Sequence, residues 1–124
     1  MEAIETTFDL PRDLTLVKAS GVLTAEHFLD WAEKYYRDQV TTLILWNLND
    51  ADLSGLRTDE ISLIARQTKE VWNTHKGGKT AFVLESPLGY GVGRMLEAYM
   101  EIENVPFSFR TFYTIDEASR WLCA

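Results

Sequence analysis

Two serines, one histidine and a set of acids are the side chains best suited to chemistry in this sequence. Ser54 stands in Asp50-Ala51-Asp52-Leu53-Ser54-Gly55-Leu56, Ser86 follows Glu85, and His27 comes three residues after Thr24. Nucleophilic hydrolysis would need Ser54 or Ser86 beside His27, with Asp50 or Glu85 orienting the imidazole. The G-x-S-x-G elbow that presents such a serine is absent. His27 falls near a predicted helix N-terminus, whose positive end disfavours protonation; that suits a base and equally suits a plain surface residue. A small hydrolase is one reading of these parts, but no motif ties them together and no catalytic residue is assigned.

Asp50-x-Asp52-x-Ser54-Gly55 has the opening spacing of a calcium loop, oxygens at alternate positions and then a turn glycine. The twelfth position, which should be a bidentate glutamate, is Ile61, so no metal site is read here. Gly89-Tyr90-Gly91-Val92-Gly93-Arg94 follows a predicted strand and opens a helix, which invites a dinucleotide reading. Its spacing is G-x-G-x-G rather than G-x-G-x-x-G, and Pro106-Phe107-Ser108-Phe109 offers no acid for a ribose. Close packing of helix on sheet explains these glycines as well, and no cofactor is expected. Cys123 is the only cysteine, so an internal disulfide and a cysteine-rich zinc site are both excluded.

Twelve basic against 19 acidic residues leave the 124-residue chain a formal charge of -7. Such a surface repels phosphate backbones and anionic headgroups, so neither nucleic acid nor a membrane is expected as partner. With 46% hydrophobic residues the chain is too apolar for a disordered tail, and its apolar residues are spread too evenly for a membrane span. The start, Met1-Glu2-Ala3-Ile4-Glu5, carries acids where a secretion signal needs basic residues, so a cytoplasmic location is expected.

The elements that must position the polar residues follow from periodicity. Ile4, Thr6, Phe8 and Leu10 alternate with polar neighbours, which predicts a half-buried strand. Pro11-Arg12-Asp13 turns it into a second, antiparallel strand over 14–19. Thr24 is a predicted helix cap, and Ala25, Phe28, Leu29, Ala32, Tyr35 and Tyr36 form a helical stripe that Trp31 widens. Leu43-Ile44-Leu45-Trp46 is a continuous apolar run, the mark of a strand covered on both faces. A polar loop over 47–57 is expected next, then a helix capped by Thr58 with Ile61, Ile64, Ala65, Thr68, Val71 and Trp72 inward. His75-Lys76-Gly77-Gly78 would close it. Ala81-Phe82-Val83-Leu84 predicts another central strand. A helix over 89–104 is expected to face Val92, Met95, Leu96, Tyr99 and Ile102 to the core. Phe107, Phe109 and Thr111 alternate as an edge strand, and Thr114-Ile115-Asp116-Glu117 has capping-box spacing before a last short helix.

Helices between strands imply parallel crossovers. The expected fold is therefore α/β: a mostly parallel sheet of about five strands, its first strand antiparallel, packed with about four helices as one domain over 1–124. Loops after the carboxyl ends of parallel strands converge on one rim, where ligands usually bind. The first crossover would bring Ser20, Thr24 and His27 there. The second would bring Asn47, Asn49, Asp50, Asp52 and Ser54, and the third Glu85, Ser86, Tyr90 and Arg94.

Gly21-Val22-Leu23-Thr24-Ala25-Glu26 resembles the G-x-L-T-x-E segment of SpoIIAA-like proteins. Leu45-Trp46-Asn47-Leu48, Gly91-Val92-Gly93-Arg94-Met95 and the stretch from Phe112 to Leu122 are similar to later segments of that family. The resemblance spans nearly the whole chain. It implies the fold of bacterial anti-sigma-factor antagonists (STAS domains) and, more loosely, of lipid-binding SEC14 domains. In antagonist STAS domains a phosphorylatable serine follows the strand matching 43–48, and Ser54 is the nearest candidate here. Together with the acidic serine-bearing loop and the lack of an assembled catalytic set, the resemblance leads to the expectation of a non-enzymatic module that binds a protein partner or itself near 50–57 and 89–94. The alternative is a carrier of a small apolar or lipid-like ligand, for which Trp31, Tyr35, Tyr36, Trp46, Trp72, Met95, Tyr99 and Trp121 could line a cavity. Their spacing is more often that of simple core packing.

Overall fold

Alternation of apolar and polar residues across a pleat carries through to a five-stranded sheet whose spatial order equals its chain order. The computed structural model describes the backbone of residues 3–38, 41–71 and 77–124, and the side chains of all of these except 36–38 and 70–71. β1 (Ala3–Asp9) turns through a short 3₁₀ segment (Leu10–Arg12) into β2 (Leu14–Val22) and pairs with it antiparallel. α1 (Ala25–Asp38), β3 (Leu43–Asp52), α2 (Thr58–Val71), β4 (Lys79–Val83), α3 (Pro87–Ile102), β5 (Ser108–Phe112) and α4 (Ile115–Cys123) follow. β2 through β5 are mutually parallel. Asp13 makes the tight turn possible by adopting a left-handed conformation, φ 54°, which short polar side chains tolerate.

The helices divide unequally between the two faces. α1, α2 and α3 pack side by side over one face, where Val17, Ile44, Trp46, Phe82 and Phe109 from the sheet meet Phe28, Ala32, Ile61, Ile64, Ala65, Leu96 and Met100. Trp46 sits at the centre, its ring 5.3 Å from Phe28, 4.7 Å from Trp31 and 5.5 Å from Phe82. Each such buried ring contributes about 1.5–3 kcal/mol by leaving water. Trp31, Tyr35 and Trp46 are therefore packed core rather than the lining of a cavity. Among the described residues the other face carries only α4, whose Ala118 and Leu122 cover Leu45, Ala81 and Val83. The β1–β2 half of that face is bare.

Four expectations need correction. β3 does not break into a loop at Asn47 but runs on to Asp52, because Ser20, Gly21 and Val22 of β2 pair with Asp50, Ala51 and Asp52 beyond a bulge. Backbone pairing overrides the polarity of these residues. α3 begins at Pro87, capped by Ser86, and not at the expected Gly89. Its buried stripe is Gly89, Gly93, Leu96 and Met100, while Met95 is 37% and Ile102 69% exposed. The glycines let the helix backbone approach the sheet, and that turns the flanking large residues outward. Thr58 does not cap α2; it is the first helical residue, and the Arg57 carbonyl accepts the first bond, from Ile61 N–H at 2.9 Å. Trp72, His75 and Lys76 lie outside the described residues, as do the side chains of Tyr36 and Val71. Among the described residues, no helix is long and apolar enough to cross a membrane.

Candidate functional site

The connections leaving β2, β3, β4 and β5 all start from the carboxyl ends of parallel strands, so one rim of the sheet carries most of the predicted polar set. At one end, Thr24 and His27 form a reciprocal helix cap. The Thr24 amide donates to His27 Nδ1 at 3.0 Å, and the His27 amide donates to Thr24 Oγ1 at 3.4 Å. The imidazole here fills the role that glutamate or glutamine usually plays in a capping box. Nδ1 acts as an acceptor, so the neutral ring carries its proton on Nε2.

Asp52 and Ser54 come next. The Asp52 carboxylate accepts the Ser54 amide at 2.9 Å and the Ser54 hydroxyl at 2.6 Å, an Asx turn reinforced by a second bond. These bonds favour the charged form and hold the Asp52 carboxyl below its ordinary value, the hydroxyl bond contributing most. Leu53, 4% exposed, anchors the turn in the core, and the Leu56 amide closes it onto the Leu53 carbonyl at 3.1 Å. Arg57 then stands at the N-cap of α2. Glu60 reaches back to its amide at 3.0 Å, and its guanidinium spans Asp59 at 3.2 and 3.4 Å. Ser54 is left exposed just ahead of a helix N-terminus, bonded to one acid.

Asn49 ties this segment to the next, its Oδ1 accepting the Glu85 amide at 3.0 Å. Ser86 Oγ accepts the Gly89 amide at 3.0 Å, the cap of α3. Asn47 is turned the other way: it accepts the Asn49 amide at 3.1 Å and lines the opposite face of the sheet. Asp50 pairs with Ser20 in the β2–β3 extension. Tyr90 stacks on Tyr113 with ring centroids 3.8 Å apart and planes within 8°, and Arg94 reaches Tyr90 Oη at 3.4 Å and Glu97 at 3.6 Å. Tyr113 belongs to the fourth strand-to-helix connection, outside the three that supply the predicted set. The signal was there, since the same carboxyl-end rule applies to β5.

The serines and the histidine all take part in local structure. Ser86 Oγ and His27 Nδ1 are both engaged in helix caps, and Ser54 Oγ donates to Asp52 rather than to an imidazole. Two of the three α3 glycines are needed for packing as well. A Cβ on Gly89 would come within 2.8 Å of Leu84 and Ser86, and one on Gly93 within 2.6 Å of Thr111, so both exist for close packing. The calcium-like spacing is likewise spent, with Asp52 committed to Ser54 and Ile61 buried in the core. Among the described residues, no group of three or more His, Cys, Asp or Glu side chains could hold a metal. What the rim does expose is apolar surface beside the acids: Val22 at 55%, Leu88 at 64% and Tyr113 at 43%.

A second concavity lies on the bare half of the other face. Leu14, Leu16, Leu43 and Leu45 form its floor, Ile115 and Leu122 of α4 one wall, and Glu5, Thr7, Asp9 and Lys18 the polar rim, enclosing about 810 Å³.

No protein-family model matches the chain, and no curated protein matches it by sequence. Solved structures do. The anti-sigma factor antagonist SpoIIAA in its unphosphorylated form superimposes with a TM-score of 0.56 at 15% identity, covering 98% of this chain and 99% of that one. An uncharacterised DUF3478-family protein with a SpoIIAA-like fold, from Shewanella loihica, gives 0.53 at 20% identity, covering 98% and 94%. With the antiparallel first strand, the parallel remainder and the four helices, this chain has the SpoIIAA-like, STAS-type α/β fold.

Proposed function

We propose that this protein is a single-domain, non-enzymatic, cytoplasmic interaction module that docks a protein partner on the rim running from Val22 through Ser54 to Tyr113. The observation that carries the reading is the Asp52–Ser54 turn, fixed by a buried Leu53 yet exposed at the head of α2. Rigid polar groups ringed by exposed Val22, Leu88 and the Tyr90–Tyr113 pair match the make-up of protein interfaces, where aromatic and apolar anchors sit within a polar surround. The likeness to an anti-sigma factor antagonist whose structure is of an unphosphorylated form supports a partner protein and a modifiable serine.

Ser54 is the modification candidate because its hydroxyl is exposed and its bond to Asp52 defines the turn. A phosphate there would bring a dianion against the Asp52 carboxylate and remove the donated hydrogen. Repulsion from Asp52, together with attraction to Arg57 and the α2 N-terminus, would rebuild the turn. Binding captures with wild type, Ser54→Ala and Ser54→Asp test this: a partner lost or gained with Ser54→Asp supports the switch. An identical partner set for all three counts against it.

The leucine-floored groove favours one further reading, a carrier of an apolar or lipid-like chain, since about 810 Å³ lies within the range of small-molecule sites. Native mass spectrometry of protein purified from cells separates the two readings. A co-purifying lipid supports the carrier, and a clean apo mass argues against it.

A further inference from the structure

The two edges of the sheet are treated differently. At the β5 edge, the outward Thr111 amide is taken by Glu97 Oε2 at 3.2 Å, so a side chain blocks the edge. β1 has no such cover: no side chain of the described residues bonds to its outward backbone groups. It also contains no proline, lysine or bulge, the usual guards of an open edge.

Which groups point outward follows from the ladder. Leu43 N–H donates to the Asp13 carbonyl at 3.0 Å, so Asp13, Thr15 and Val17 direct their backbone groups toward β3. Leu14, Leu16 and Lys18 then face β1 and bond with their partners Asp9, Thr7 and Glu5. Ile4, Thr6 and Phe8 are left presenting N–H and C=O to the open edge. Phe8 is also 44% exposed, although its ring lies parallel to Tyr35 at 6.3 Å.

We propose that the β1 edge pairs antiparallel with β1 of a second copy, joining two five-stranded sheets into one, in the register centred on Thr6. The exposed Phe8 ring, which Ile4 of a second copy would meet, points to the occupant, and charge selects the register. Outward-facing residues must meet outward-facing residues, so the two-fold axis passes through Glu5, Thr6 or Thr7. Centring on Glu5 sets Glu5 against Glu5 of the second copy. Centring on Thr7 sets Glu5 against Asp9 twice. Centring on Thr6 sets Glu5 against Thr7, Asp9 against Ala3 and Ile4 against Phe8, with no like charges directly opposed. Each Glu5 keeps Lys18 of its own chain across from it on β2, which offsets its diagonal approach to Glu5 and Asp9 of the second copy. The Ile4–Phe8 pairs cover the exposed ring on the helix-bearing face. This surface is separate from the rim, and the proposal stands or falls without it.

Sedimentation of the full chain over a concentration series, with Thr7→Glu and Thr7→Lys variants, tests the register. Residue 7 is exposed in the single chain, opposite Leu16 and diagonal to Lys18, so neither change should unfold it, which circular dichroism checks. A reversible dimer is expected. Thr7→Glu creates two opposed Glu–Glu pairs and should weaken the dimer about tenfold; Thr7→Lys creates two opposite-charge pairs and should strengthen it. Hydrogen exchange adds a second readout. The Ile4, Thr6 and Phe8 amides should gain protection with concentration, whereas Glu5 and Thr7 are protected throughout. A chain monomeric at NMR concentrations, a dimer indifferent to the charge at residue 7, or a dimer whose Thr6 amide exchanges freely would overturn the proposal.

Discussion

Asp52 accepts both the amide and the hydroxyl hydrogen of Ser54, at 2.9 and 2.6 Å, so one carboxylate fixes the shape of the segment that leads into α2. Neither residue is buried; the turn persists because Leu53 between them is. The same two bonds that shape the surface also define how a charge added at Ser54 would change it.

Titration of Asp52 reports on that arrangement. Its folded-state pKa lies below the ordinary 3.8, so the turn's contribution to stability is complete above that value and disappears as the pH falls through the depressed midpoint. Ser54→Ala removes the larger cause and should raise the Asp52 midpoint toward 3.8, followed by the carboxyl carbon shift in NMR. An unmoved midpoint would mean that the hydroxyl bond does not form in solution.

Two neighbouring glycines of α3 should respond in opposite directions to alanine. At Gly93 a Cβ would lie 2.6 Å from Thr111 Cγ2 and 3.1 Å from Leu84 Cδ1, against a stiff β-branched partner on β5. Gly93→Ala should cost about 1–3 kcal/mol in denaturant unfolding, partly recovered when combined with Thr111→Ala. Gly91 has open space at its Cβ, and Gly91→Ala should gain up to about 1 kcal/mol of helix stability. Equal effects at the two sites would contradict the packing role assigned to Gly93.

The sequence made the element order, the antiparallel first strand and the shared rim legible, because continuous apolar runs such as Ala81–Leu84 and caps such as Thr114 are local signals. The Thr114 side chain does accept from the Glu117 amide, at 3.2 Å. Features set by contacts distant in the chain were not legible. β3 extends to Asp52 only because β2 continues beside it, and α3 turns its glycines inward only because Thr111 and Leu84 lie beneath them. The buried hydroxyl cluster of Thr15, Tyr35 and Thr41, with O–O distances of 2.7, 2.8 and 3.1 Å, joins three separate segments and leaves no periodic trace. Within the rim, Tyr113 was missed for want of applying one rule to a fourth strand.

Thr111 offers a test of polar burial. Its Oγ1 is buried without a hydrogen-bond partner among the described residues. Replacing an unsatisfied hydroxyl by a methyl of the same shape removes a desolvation cost. Thr111→Val should leave the melting temperature unchanged or raise it. A loss beyond about 1 kcal/mol would show that the hydroxyl is bonded after all.

The rim itself is tested most directly by site-specific photo-crosslinking in cells, with a benzophenone side chain placed singly at Ser54, Leu88 or Tyr113 on the rim, or at Arg66 or Ile102 away from it. The account predicts a discrete adduct with a different protein from the rim positions and none from Arg66 or Ile102. Adducts of equal yield from both sets, or rim positions that capture nothing while Arg66 or Ile102 does, would contradict it.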